Sequence, residues 1–259
     1  MGSWVAAMDS LRSPHQIPRA RGLKSFPSDI LGAFAEGRRF PQKMVERPTC
    51  AICAKRRPER FCPAKGEKIC APCCGREREV TLDCPPDCAY LIAAHRYEQE
   101  HRKPLTEAEI PFPGVEFSSN LIYEREPFVS GLAFTISQFA AKHSDLTDEQ
   151  TLTAIGALGE TYRTLVSGIY YERPPGTMPA AALYGAMAGF VQDYKKKESE
   201  RVGFSTLKDS EIFYLLVFLA RLARNWTNGR PRARIYLQFL RGQFPQHDAQ
   251  PEPSRIIAP

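Results

Sequence analysis

No stretch of this 259-residue chain approaches the roughly 18 consecutive apolar residues that a membrane-spanning helix needs. The longest run, Ile212 to Ala220, is nine residues and reads as a buried helix segment. The N-terminus, MGSWVAAMDS, has no basic region followed by an apolar one, so no secretory signal is expected. Both absences point to a cytoplasmic protein that does not enter a membrane. Enzyme signatures are missing as well. There is no G-x-x-x-x-G-K-[ST], no G-x-G-x-x-G after a strand, no G-x-S-x-G and no H-E-x-x-H. The five histidines, at 15, 95, 101, 143 and 247, are scattered, and no Asp/Glu pair sits in an apolar frame suited to acid–base work. A non-enzymatic adaptor or regulatory protein is expected, the alternatives being a nucleic-acid-binding regulator and an uncatalogued enzyme whose zinc module is purely structural.

Acidic residues are absent from Ile212 to His247, where six arginines fall among the aromatics Trp226, Tyr236 and Phe239. Two readings follow. One is a phosphate-tracking surface with stacking platforms for nucleic acid. The other is an amphipathic helix pair, and it is favoured by the helical spacing of Phe213, Leu216, Leu219, Leu222 and Trp226. Within TNGRPRAR (Thr227 to Arg234), Arg230, Arg232 and Arg234 are the cations placed to meet nucleic acid or a partner, and Arg56 and Arg57 of KRRPER form a second basic knuckle. A net charge of +6 permits such partners without requiring them.

Eight cysteines are confined to residues 50–88, spaced C50-x2-C53-x8-C62-x7-C70-x2-C73-C74-x9-C84-x3-C88. Thiols in a reducing compartment are ligands more readily than disulfides. The two C-x2-C pairs have knuckle spacing, and eight thiolates suit two closed tetrahedral zinc sites. The stretch is also poor in large apolar residues, with Ile52, Phe61, Ile69, Val80 and Leu82 nearly its whole supply, so metal is expected to replace a core. Adjacent thiols point in different directions, so Cys73 and Cys74 are assigned to different ions. That gives Cys50, Cys53, Cys70 and Cys73 at one site and Cys62, Cys74, Cys84 and Cys88 at the other. A thioredoxin-type redox pair would need a βαβ pattern, and none is visible. An iron–sulfur cluster would also draw on four cysteines. A catalytic zinc keeps an open position, whereas thiolates close both sites here. His95, seven residues after Cys88, is read as a solvated helix histidine rather than a ligand.

The order CAIC, a lone Cys62, KICAPCC and CPPDC resembles the cross-braced zinc fingers, the B-box most closely, over residues 50–88. It differs in having Lys65 where a B-box has its fourth ligand and cysteines where its last ligands are histidines. B-boxes bind proteins and assemble, so the resemblance implies an interaction module with a protein partner. The C-C-G…C-P-x-D-C-x-Y-L pattern also resembles bacterial zinc-finger proteins. With two Zn²⁺ and eight thiolates, the formal +2 of residues 50–88 becomes −2, which argues against the finger itself as a DNA-binding surface.

The expected architecture is mainly α, a small cysteine-rich two-zinc module followed by an α-helical bundle. Residues 1–48 read as a disordered basic segment, 49–102 as the module with an exit helix begun near Asp87, and 103–120 as a linker in which VEFSSNLIY is extended. Residues 121–244 read as an antiparallel bundle and 245–259 as a flexible tail. Thr147 and Gln150 form a capping box. Beyond it Leu152, Ile155, Leu158, Tyr162, Leu165, Val166 and Ile169 share a helical face. Leu183, Met187, Phe190, Val191 and Tyr194 mark a second helix and Thr206 caps a third. Pro231 and Gly242 bracket the last. YYERPPGTMP is a stiff connection that presents Tyr171, Glu172 and Arg173.

Overall fold

The computed structural model describes residues 48–245, and among them are eight α-helices and one two-stranded sheet. The chain is mainly α, with the cysteine cluster ahead of the helices. The expected basic segment and flexible tail lie outside the described residues, apart from their innermost positions. Two compact units are present, one of residues 48–62 and 66–75, the other of 63–65 and 76–245.

In the first unit β1 (Arg60–Cys62) and β2 (Glu67–Ile69) pair antiparallel, with Arg60 opposite Ile69 and Cys62 opposite Glu67. Gly66, at φ +69°, takes the left-handed conformation that glycine adopts freely, and its N–H donates to the Cys62 carbonyl at 2.9 Å to close the turn. α1 (Ala71–Glu77) follows and carries Cys73 and Cys74.

The second unit contains α2 (Ala89–Glu100), α3 (Ser119–Glu124), α4 (Glu126–Lys142), α5 (Asp148–Val166), α6 (Met178–Val202), α7 (Asp209–Trp226) and α8 (Ile235–Gln243). α5 packs against α7 and α6, and α4 against α6 and α8. α7 is apolar nearly all round, with Ile212, Phe213, Leu215, Leu216, Val217, Leu219, Ala220, Leu222 and Ala223 buried, as befits a central helix. Each fully buried aliphatic side chain contributes about 1.5–3 kcal/mol. On α6 Leu183, Met187 and Val191 are buried, while Phe190 and Tyr194 are half-buried and gather round Phe128 at ring distances of 5.6 and 5.2 Å. α4 comes so close here that a Cβ on Gly131 would meet the Phe190 ring at 2.5 Å.

The Thr147 capping box forms: the Thr147 N–H donates to Gln150 Oε1 at 3.0 Å, and Thr147 Oγ1 accepts the Gln150 N–H at 3.4 Å. Other termini differ from expectation. Cys88, not Asp87, occupies the N-cap of α2. VEFSSNLIY is not extended throughout, because Ser118 accepts the Asn120 N–H at 3.2 Å and starts α3. Thr206 is drawn to Glu198, donating from Oγ1 at 2.6 Å, so α7 begins at Asp209 with Lys208 as its N-cap. Pro231 precedes α8 by a turn, and Gly242 lies inside the last turn of that helix. α5 ends before the whole predicted stripe is used, leaving Val166 and Ile169 50% and 63% exposed.

The 103–120 linker is fastened down. Arg221 donates to the carbonyls of Pro111, Phe112 and Val115 at 3.1, 2.8 and 2.7 Å. Phe112 sets its ring edge-on to Phe213, against the bare backbone of Gly159.

Asp148 makes the longest-range cap. Fully buried at the start of α5, it accepts the Tyr236 and Leu237 N–H groups of α8 at 3.1 and 3.3 Å, satisfying donors that a helix start leaves open. Burial pushes its carboxyl above the ordinary 3.8, against the pull of those amides. A carboxyl raised on folding favours the folded state most below pH 3.8, and that contribution fades as pH rises through the folded value. Asp148→Ala should cost about 1–3 kcal/mol in denaturant unfolding, because two buried N–H groups lose their acceptor. Asp148→Asn keeps an acceptor oxygen, so it should cost less and should remove this pH dependence.

Candidate metal centre

Cys50, Cys53, Cys70 and Cys73 place their sulfurs within 4.8 Å of one another, and the Sγ atoms of Cys53 and Cys70 are 4.0 Å apart. Four thiolates about 2.3 Å from a tetrahedral ion lie about 3.8 Å from each other, so the donor set fits one such ion. The local chain builds this geometry. After Cys50 the knuckle turns back through Ala54 at φ +52°, whose N–H donates to the Cys50 carbonyl at 2.8 Å. The hairpin register then brings Ile69 and Cys70 beside it: the Glu59 N–H donates to the Ile69 carbonyl at 3.0 Å and the Ala51 N–H to the Lys68 carbonyl at 3.2 Å. Cys73 follows on the first turn of α1.

The backbone is already arranged for thiolate charge. Cys50 Sγ accepts the Cys70 N–H at 3.2 Å and the Ile52 N–H at 3.5 Å. Burial alone would raise the Cys50 thiol, but amide donors from Cys53, Cys70 and Ile52 outweigh it and bring the pKa down to about 6. The amides of Lys55 and Arg56 hold Cys53 below its ordinary range. Burial pushes Cys73 up to about 12, and the neighbouring thiols of Cys70, Cys53 and Cys50 push the same way. Four sulfurs this close cannot all ionise without a cation among them, and a divalent ion held there would offset that charge.

The structure therefore assembles the first of the two cysteine sets. Cys74 is buried beside Cys73 but stays outside the cluster, as the roughly 100° between successive helical residues requires. Among the described residues no other group of three or more His, Cys, Asp or Glu side chains comes together in this way. Of the second set, Cys62 ends β1 and Cys74 lies on α1 in the first unit, whereas Cys84, half-buried, and Cys88, at the N-cap position of α2, belong to the second unit, so a second ion is not shown.

The arginines divide into two groups. Arg56 and Arg57 are exposed, and KRRPER also serves the cysteine cluster, through the Lys55 and Arg56 amides that meet Cys53. Arg230 donates to the Arg78 carbonyl at 2.6 Å and faces Glu98 at 3.9 Å. Arg234 pairs with Asp83 at 3.1 Å. Only Arg232 of the three projects into solvent, with no ion pair among the described residues. His95 is not solvated: it is buried, with Nε2 3.0 Å from Glu79 Oε2, which also accepts from Asn228 Nδ2 at 3.0 Å. Sequence reasoning missed this Glu79–His95–Asn228 cluster. Its members are up to 149 residues apart and carry no local pattern.

No protein-family model matches the chain, and neither the curated proteins nor the solved structures yield a match.

Substitution separates the two neighbouring cysteines. Cys73→Ser should abolish retention of zinc by the Cys50 cluster after dialysis, read as metal per chain, whereas Cys74→Ser should leave that ion bound. Equal loss from both variants would contradict the geometry.

Proposed function

We propose that the chain is a non-enzymatic, zinc-binding interaction protein, in which a zinc-organised unit is joined to a helical unit that meets a protein partner. The observation that carries this reading is the closed donor set of Cys50, Cys53, Cys70 and Cys73. Four thiolates leave no open position for a substrate or water, which is the signature of structural zinc. Zinc is preferred over an iron–sulfur cluster because a cluster spreads its cysteines over several irons, farther apart than donors to a single ion.

A protein partner is supported by the α5–α6 connection. Ile169, Tyr170, Tyr171 and Met178 are 63%, 67%, 59% and 81% exposed there, within ten residues of chain. The Tyr170 hydroxyl donates to Glu172, which orders part of the loop. Exposed aromatic and Met side chains of this kind are enriched in interface cores. Nucleic-acid recognition would have to draw on Arg56, Arg57 and Arg232, since Arg230 and Arg234 are held internally.

Affinity capture on the full chain tests the reading. A protein retained by the wild type should be lost with Tyr171→Ser/Met178→Ser, at about tenfold weaker binding, while zinc content stays unchanged. The same protein should be lost on zinc removal. A capture profile indifferent to both changes would overturn the proposal.

A further inference from the structure

The helical unit contains a cavity of about 230 Å³ between the C-terminal end of α4, the Glu79–Leu91 stretch and α8. Leu91, Ala140 and Leu237 give it apolar walls, whereas Arg232, Arg234, Arg241 and His143 line it with nitrogen. Its one lining carboxylate is Glu79. That group is 3% exposed, and its Oε2 already serves His95 and Asn228. The cavity is therefore apolar in its body and cationic in its polar lining.

Arg232 is the residue set apart. Every neighbouring arginine with a described contact is used to hold the fold. Arg221 binds three linker carbonyls, Arg230 binds the Arg78 carbonyl, and Arg234 binds Asp83 and, at 3.2 Å, the Leu146 carbonyl. The Arg232 guanidinium holds nothing among the described residues, yet the backbone beneath it is pinned. Its N–H donates to the Glu79 carbonyl at 2.9 Å, the Ala233 N–H donates to Arg230 at 3.0 Å, and the Ala233 carbonyl accepts from Asp148 at 2.8 Å. An unpaired guanidinium on a pinned backbone, lining a cavity, is free to meet an anion, and its planar fork matches carboxylate and phosphate geometry.

We propose that this cavity binds a small organic anion, a carboxylate or a phosphate monoester, with its apolar body against Leu91 and Leu237 and its charged group on Arg232. Gln238 and Ser144, which also line the cavity, supply neutral donors. A volume just below the roughly 300–1,000 Å³ of drug-sized sites restricts the occupant to about one ring or a short chain. This site lies in the helical unit, and none of its lining residues belongs to the Cys50, Cys53, Cys70 and Cys73 cluster.

The test is calorimetric titration of the full zinc-loaded chain with phenyl phosphate, benzoate and inorganic phosphate. At least one of the two organic anions should bind at millimolar concentration or tighter, about tenfold more tightly than inorganic phosphate, which lacks the apolar body. The better of the two assigns the head group. Arg232→Ala, an exposed substitution that should leave the melting temperature unchanged, should weaken that binding about tenfold. Arg163→Ala, on the exposed face of α5, should leave it unaltered. No binding of either organic anion, or binding that Arg232→Ala leaves intact, would overturn the proposal.

Discussion

Four sulfur atoms held within 4.8 Å of one another are the constraint on which the first unit depends. Among its described residues, Ile69 is the one buried large apolar side chain apart from cysteine. A buried isoleucine contributes about 1.5–3 kcal/mol, no more than the ordering of two residues costs. The hairpin and the knuckle turn therefore have little reason to persist without a bond that joins Cys50 and Cys53 to Cys70 and Cys73. Clustered thiols also repel as they ionise. The opposed shifts of Cys50 and Cys73, one down to about 6 and the other up to about 12, express that conflict within one cluster. A divalent cation held among the four sulfurs would resolve it and supply the missing cohesion together.

The helical unit solves its problem in another way. Its apolar helices would pack in several arrangements at similar hydrophobic gain, and buried polar contacts between distant segments select one. Asp148 caps a helix 88 residues away, Arg221 gathers three carbonyls of the linker, and Glu79 joins His95 to Asn228. Glu198 does the same over a shorter span, accepting from Ser205, Thr206 and Leu207 to fix the turn between α6 and α7. Each lone contact is worth roughly 1 kcal/mol net, but each would cost more if one partner were removed. Together they make one packing distinct rather than merely compact.

Local features were readable from sequence, and long-range ones were not. The C-x2-C knuckles and the divergence of Cys73 from Cys74 depend on a few bonds, so the Cys50–Cys53–Cys70–Cys73 set could be named in advance. The Thr147–Gln150 box is similarly local. The second cysteine set could not be judged from spacing, because its assembly depends on how remote segments meet. The arginines of TNGRPRAR looked solvent-facing because no acid lies near them in sequence. Their partners, Glu98 and Asp83, come from more than 100 residues upstream. Helix starts at Ser118 and Lys208 were misplaced for a related reason. Thr206, a good cap by type, is taken by Glu198, a competitor that only the folded connection reveals.

One ion held by the four thiolates of Cys50, Cys53, Cys70 and Cys73 would explain the cohesion of the first unit. X-ray absorption at the zinc edge of the full chain measures this most directly. A single shell of four sulfur neighbours at about 2.3 Å, with no nitrogen or oxygen ligand, is the expected result. A shell containing nitrogen or oxygen, or fewer than four sulfurs, would contradict it.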